Sequence, residues 1–267
     1  MIGINCLGRK GRFANQMFQY AAVRGIAARH GYAWCIPPGP TTPAAFTDEY
    51  LQHKLFLAFT LPSLTAVKLL SAPHRQEASH RFDSYLFEHC EDNLSLDGHF
   101  QSESYFRLIE EDIRRDFTWL PRVIEPCRAL FEQLVPGGKA IALHVRRTDH
   151  LLRPSYRPVL PLRYYGDALE HWDPQLPVLI FSDDPAWCRQ QPLFADRRFV
   201  VPEAGDNIAD LCLMSLCSHQ ITANSTFSWW GAWLSGSDHV LAPSLWFGDH
   251  GHDARDLRVA RWTYLQV

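Results

Sequence analysis

The sequence predicts a doubly wound α/β domain in its second half, preceded by another α/β lobe. Three observations carry this. After the break PGG at 136–138, five short apolar runs (139–145, 177–182, 198–201, 220–223 and 239–243) alternate with segments of helical pattern. In the first half a strand–loop–helix–strand unit fits residues 2–37, which suits a parallel sheet. The motifs HVRRTD, FSDD and TANST each stand at the carboxyl end of one of the predicted strands, where open parallel sheets bind ligands.

In order along the chain, residues 2–6 read as a strand, followed by the loop LGRKGRFAN with Gly8 and Gly11. A helix from about 14 to 30 stops at Gly31, a C-terminal cap. YAWCIP at 32–37 is a second strand, closed by two prolines, and 38–95 lack a clear period. LDGHF at 96–100 reads as a strand, Ser102 as the cap of a helix through Phe117, and 122–135 as another helix. Beyond the linker the strand KAIALHV leads to a helix at 161–171, the strand PVLIFS and the short helix PAWCRQ. RFVV is the next strand, NIADLCLMSLCSH an amphipathic helix, QITA a strand, STFSWWGAWLS a helix and HVLAP the final strand.

The 267 residues are enough for one large domain or two modest ones, in an ordinary globular composition. A net charge of −3 provides no basic field for a nucleic acid. Seven scattered cysteines without a C-x-x-C pair argue against a zinc site or a disulfide framework and fit a reducing compartment. The N-terminal apolar run is too short for a signal peptide, and no segment reaches a membrane-spanning length. The expected location is the cytoplasm or, through peripheral contact, the inner face of the membrane.

The motifs carry the chemistry. In HVRRTD two arginines, Arg146 and Arg147, end a buried strand. Guanidinium forks suit phosphate oxygens, and a strand continuing through them would place His144 and Arg146 on one face and Arg147 on the other. An interior pair with Asp149 would explain one arginine; two favour phosphate. In FSDDP, Asp184 can cap a helix with Pro185 at its first position, and Asp183 can favour the same dipole. Capping explains this stretch taken alone; the other reading gives one carboxylate to a base or ribose. In TANSTFSWWGAWL, Asn224 and Ser225 sit at a strand-to-helix turn whose free N–H groups face the rim carrying Arg146. Trp229, Trp230 and Trp233 are spaced as core. In GRFANQMFQYA, Asn15 would cap a helix with Gln16 on its surface and Met17, Phe18 and Ala21 beneath. No Walker loop or dinucleotide fingerprint occurs, which argues against a nucleotide hydrolase or a kinase-like phosphotransferase.

Taken together and in order, GRFANQMFQYA, HVRRTD, FSDDPAW and NSTFSWWGAWL resemble the GDP-fucose-dependent α-1,2-fucosyltransferases of glycosyltransferase family 11, as do GHFQSESYF and DLCLMSLCSHQITANSTFSWW. The resemblance covers most of the chain, least over 38–95 and the last 20 residues. It implies a GT-B-like pair of Rossmann-like lobes with the donor at the interlobe cleft: residues 1–135 on the acceptor side and 136–267 holding GDP-fucose. It also implies inverting transfer of L-fucose from GDP-β-L-fucose to the 2-hydroxyl of a terminal galactose on an oligosaccharide or glycolipid, as in glycan or O-antigen synthesis, without a cofactor or metal. Thr148 stands where that family usually has Gly, and the RRTD form resembles the α-1,6-fucosyltransferases. A fucosyltransferase of that linkage and a non-catalytic sugar-nucleotide or glycan binder are the alternatives.

By the same resemblance Arg146 meets the leaving diphosphate, assisted by the helix start at Asn224, Ser225 and Thr226, with Arg147 holding Asp149 or packing under the lobe. Asp149 takes the acceptor proton or orients an arginine. His144, Ser182, Asp183 and Asp184 serve the guanine–ribose end, and Asn15 and Gln16 reach donor or acceptor from the first lobe.

Overall fold

A computed structural model describes residues 1–39, 53–62, 72–249 and 252–267. The chain divides into two compact units, Met1–Leu120 with Asp253–Val259 and Pro121–His252 with Ala260–Val267. The division falls ahead of the 136–138 linker, where the sequence suggested it, because the helix after Leu120 packs within the second unit.

The first unit contains a parallel sheet of β1 (Ile2–Gly3), β2 (Trp34–Cys35), β3 (His74–Gln76) and β4 (Ser95–Asp97), in the order β2-β1-β4-β3. Helix α1 (Phe13–His30) follows β1 and is buried on nearly every side, including the polar Gln16 and Gln19. It ends on Gly31 at φ 68°, as its C-cap position predicts. Gly25 lets α1 lie against the main chain that follows β4: a Cβ there would stand 1.9 Å from the Tyr105 carbonyl oxygen. Short helices α2 (Leu55–Ala58) and α3 (Ser84–His89) and helix α4 (Glu110–Asp116) complete the unit. Arg81 pairs with Asp256 at 2.6 Å and Asp253 at 2.8 Å, which ties residues 253–259 to it.

Several expected elements are shorter. The strands at 2–6 and 32–37 shrink to two residues each, and the strand expected at 96–100 ends at Asp97, with Phe100 at φ 52°. Ser102 does cap, its hydroxyl accepting from Ser104 N, but the capped piece is a 3-10 turn, and regular helix begins only at Glu110. The expectations for 40–52 and 63–71 lie outside the described residues.

The second unit opens with α5 (Pro121–Leu134), packed on α9 (Asn207–Leu216), where the Cys127 thiol reaches the Ala209 carbonyl. Its six-stranded parallel sheet has the order β10-β9-β8-β5-β6-β7, from β5 (Ile141–Val145), β6 (Val178–Ser182), β7 (Phe199–Val200), β8 (His219–Ile221), β9 (Val240–Pro243) and β10 (Thr263–Leu265). β10, past the expected last strand, is a three-residue edge strand on β9. The chain steps outward one way through β5, β6 and β7 and the other way through β8, β9 and β10. The switch point is therefore between β5 and β8, where ligands of doubly wound sheets bind.

Helix α7 (Leu162–Leu169) covers one face: Tyr164, Tyr165 and Ala168 pack with Ile141, Leu143, Val145 and Ile180. Helix α10 (Thr226–Ser235) packs on α9 and contributes Trp229, Trp230 and Trp233, all at most 1% exposed and in ring contact with one another. The tryptophans are core, as their spacing indicated.

Candidate active site

At the switch point two loops face each other. β5 ends at Val145, paired with Ser182 of β6, and does not run on through the arginines. The expected alternation of Arg146 and Arg147 about a strand therefore does not apply. The chain turns instead into the short helix α6 (Thr148–Leu151), and this turn sorts the two side chains.

Arg146 is held by carboxylates on two sides: Nη2 lies 2.8 Å from Asp149 Oδ1 and Nε 3.4 Å from Asp183 Oδ2. It is 16% exposed, and such a braced guanidinium keeps a fixed direction. Arg147 neither holds Asp149 nor faces the same way. Its Nε pairs with Asp184 at 3.2 Å, and its guanidinium lies over the Trp187 ring, 3.9 Å from the centroid. Arg147 is thus packed into the loop structure and Arg146 is the arginine aligned by Asp149.

Asp183 and Asp184 both act within this structure. Asp184 caps the short helix α8 (Pro185–Arg189), accepting from Trp187 N at 3.1 Å, while Ser182 Oγ accepts from Asp184 N at 2.9 Å. Asp183 caps α6, accepting from the amides of Arg147 at 2.9 Å and Thr148 at 3.0 Å. The Thr148 hydroxyl also donates to Asp183. Burial pushes the Asp183 carboxyl up, but the Thr148 hydroxyl, the Arg146 charge, the Arg147 amide and His144 outweigh it and hold it below the ordinary aspartate range. Capping thus accounts for FSDD: Asp183, Ser182 and Asp184 each accept from a backbone amide of these loops. Thr148 acquires a local reason to be threonine.

On the β8 side, Ser225 is the N-cap of α10, its hydroxyl accepting from Phe227 N, and Thr226 begins the helix, largely buried. The positive end of α10 therefore borders the same crevice as Arg146. Asn224 points inward: fully buried, it donates to the carbonyls of Pro158 at 2.9 Å and Trp246 at 3.2 Å, tying two further loops together.

His144 spans the crevice by packing on Phe227, with ring centroids 5.5 Å apart. Burial and the adjacent Arg146 hold its imidazole down to about 3, against the opposing pull of Asp183. His150 is likewise buried and held down to about 4, by burial first, with Asp149 pulling the other way and Arg157 and Arg146 adding to the depression. Both rings are neutral at neutral pH. His150, the last letter of HVRRTDH, is a residue that motif reading missed.

These two histidines predict acid lability. An unfolded histidine takes up its proton near pH 6.5, whereas the native rings resist until about pH 3 and 4, so their contribution is present above 6.5 and is lost as pH falls. Urea unfolding at pH 5 should show about 2 kcal/mol less stability per buried ring than at pH 7.5. His144→Phe should remove about half of the combined difference.

In the first unit, Gln16 does not lie on a surface. It is fully buried, and its Oε1 accepts from Lys54 N at 2.9 Å. Asn15 remains partly exposed, and its Oδ1 accepts from Gln101 Nε2 at 2.7 Å. Among the described residues no three His, Cys, Asp or Glu side chains come together as a metal site.

Residues 1–266 match the model of Glycosyl transferase family 11. The chain belongs to this family. Its relatives include an alpha-1,2-colitosyltransferase of Escherichia coli, 26% identical over 225 residues, covering 79% of this chain and 76% of the relative. The galactoside alpha-(1,2)-fucosyltransferase 1 of Mus musculus is 28% identical over 257 residues, 90% of this chain and 65% of its own. This family 11 chain thus spans about two thirds of that mammalian relative. Among solved structures, the NodZ alpha-1,6-fucosyltransferase soaked with GDP-fucose aligns with a TM-score of 0.57 at 17% identity, over 93% of this chain and 97% of the other. POFUT1 in complex with GDP aligns at 0.53 and 14% identity, over 89% and 95%. These likenesses show a shared GT-B-like fold, in keeping with two units each built on a parallel sheet. No helix among the described residues is long and apolar enough to cross a membrane.

Proposed function

We propose that this family 11 chain transfers L-fucose from GDP-β-L-fucose to the 2-hydroxyl of a terminal β-galactose, with inversion to an α linkage. The observation that carries the reading is Arg146, fixed by Asp149 and Asp183 at the β5/β8 switch point, with the start of α10 bordering the same crevice. In the reaction the C1–O bond to the diphosphate breaks as the acceptor oxygen attacks from the opposite face. Negative charge then grows on the leaving GDP. A pre-aligned guanidinium and helix terminus stabilise that charge more in the transition state than in the ground state. The names of the galactoside relatives support the acceptor and linkage. The Thr148 hydroxyl is engaged with Asp183, which accounts for a threonine at this position within the loop.

The colitosyltransferase relative supports a second reading in which the transferred sugar is colitose. Incubation with GDP-fucose and a β-galactoside tests the proposal: release of GDP and a mass gain of one deoxyhexose are expected, and turnover should persist in excess EDTA. Transfer from GDP-colitose alone would move the assignment to the second reading. GDP-fucose binding without turnover would identify a non-catalytic binder.

Asp149 is assigned as the residue that aims Arg146. Asp149→Asn keeps an acceptor oxygen for the guanidinium but loses the charge, so kcat is expected to fall about 10-fold. A loss of about 1000-fold with an unchanged donor KM would make Asp149 the general base instead.

A further inference from the structure

Helix α5 is lightly seated. Of its 14 residues only Cys127 is buried, and Pro126 beside it gives the helix no amide hydrogen. The seat is on α9, where the Cys127 thiol donates to the Ala209 carbonyl at 3.7 Å. Cys212 stands three residues on from Ala209, on the same face of that helix. Its thiol meets the Cys127 sulfur side chain to side chain and donates to it. Cys127 is 4% exposed and Cys212 0%, and all seven cysteines are free. Two thiols from helices far apart in the sequence thus share one contact.

This contact makes the two sulfurs unequal. The Cys212 hydrogen bond favours the thiolate of Cys127 and holds its thiol below the ordinary cysteine range, against burial and the Asp206 and Asp210 carboxylates. The same bond, with burial, pushes the Cys212 thiol up. Cys6, Cys35, Cys90, Cys188 and Cys217 are all raised, by burial first. Cys6 gives the useful contrast. It is more exposed than Cys127, but its thiol donates to Asp97 Oδ1 at 3.1 Å and is pushed up to about 12 by burial and that bond. Exposure alone would make Cys6 the reactive thiol; thiolate character makes it Cys127. Cys212 is then the neighbour placed to resolve an oxidised Cys127.

We propose that Cys127 and Cys212 form a reversible redox site, oxidised by a peroxide to a disulfide that fastens α5 to α9. The Cys127 thiolate attacks one peroxide oxygen, the O–O bond breaks, and the departing hydroxide takes a proton to become water. The resulting sulfenic acid is attacked at sulfur by Cys212. The S–S bond forms as the S–O bond breaks, and the Cys212 proton leaves with the hydroxide as a second water. Two thiols are oxidised and one peroxide is reduced. Entry requires only that α5 lift locally, which its light seating makes easier than opening the sheet. The disulfide closes a stretch of chain that contains β5, β6 and β7, and closing so long a loop restrains the unfolded state.

The full chain is treated with a small excess of hydrogen peroxide, and free thiols are then blocked with a maleimide under denaturing conditions. Intact mass should show two fewer maleimide adducts than the reduced chain. A peptide map should join the Cys127 and Cys212 peptides before Cys6 is modified. Dithiothreitol should reverse the link, and the linked chain should melt about 5 °C higher. Cys212→Ser should stop at a sulfenic acid on Cys127, captured by dimedone, whereas Cys127→Ser should leave Cys212 unmodified. If either variant does not fold, the peptide map of the unaltered chain decides. Cys127 and Cys212 both still open to the maleimide after treatment, with or without oxidation at Cys6, would overturn the proposal. So would a link between any other pair, or one that leaves the melting temperature unchanged or lowers it.

Discussion

Arg146→Lys is expected to lower kcat/KM by about 10²–10³-fold while leaving the fold intact. The guanidinium meets Asp149 and Asp183 through different nitrogens and still has a further arm of its fork for a phosphate oxygen. A lysine ammonium keeps the charge but cannot hold both carboxylates and the leaving diphosphate in one plane. Steady-state kinetics at saturating acceptor, paired with a thermal melt, measure the effect. Turnover near that of the unaltered protein would remove Arg146 from the diphosphate.

Asp183→Ala is expected to damage stability and activity together. The side chain caps α6 through two backbone amides, takes the Thr148 hydroxyl and faces the Arg146 guanidinium. Removing it leaves those donors unmatched and Arg146 with one carboxylate fewer. A loss of about 3 kcal/mol in urea unfolding is expected, the lower end for breaking a buried ion pair because the site keeps some solvent contact. Asp183→Asn, which retains an acceptor oxygen for the amides, should recover part of the stability but less of the activity. Equal recovery of both would reduce Asp183 to a cap with no bearing on Arg146.

The sequence showed best what depends on local pattern. The alternation beyond residue 138 gave the order of β5 to β9, and the Asp184–Pro185 pair announced a helix start that the structure contains. β10 escaped because three residues on a sheet edge carry almost no periodicity. The end of β5 was misplaced because an apolar run does not mark the residue at which a strand gives way to a turn. What stops it is Asp183, 37 positions beyond Arg146, which captures the next two amides. Gln16 read as a surface residue because α1 was expected to have a wet face, and in the fold it has very little. The pairing of Gln101 with Asn15 joins segments 86 residues apart, with no local signature. Phe100 in a left-handed conformation is still less legible, since nothing but its environment selects it.

The proposed transfer is tested most directly by the bond that is made. Product formed from GDP-fucose and a β-galactoside should show, by two-dimensional NMR, an α-anomeric fucose correlated to carbon 2 of galactose. A β-anomer, or attachment at any other galactose carbon, would contradict it.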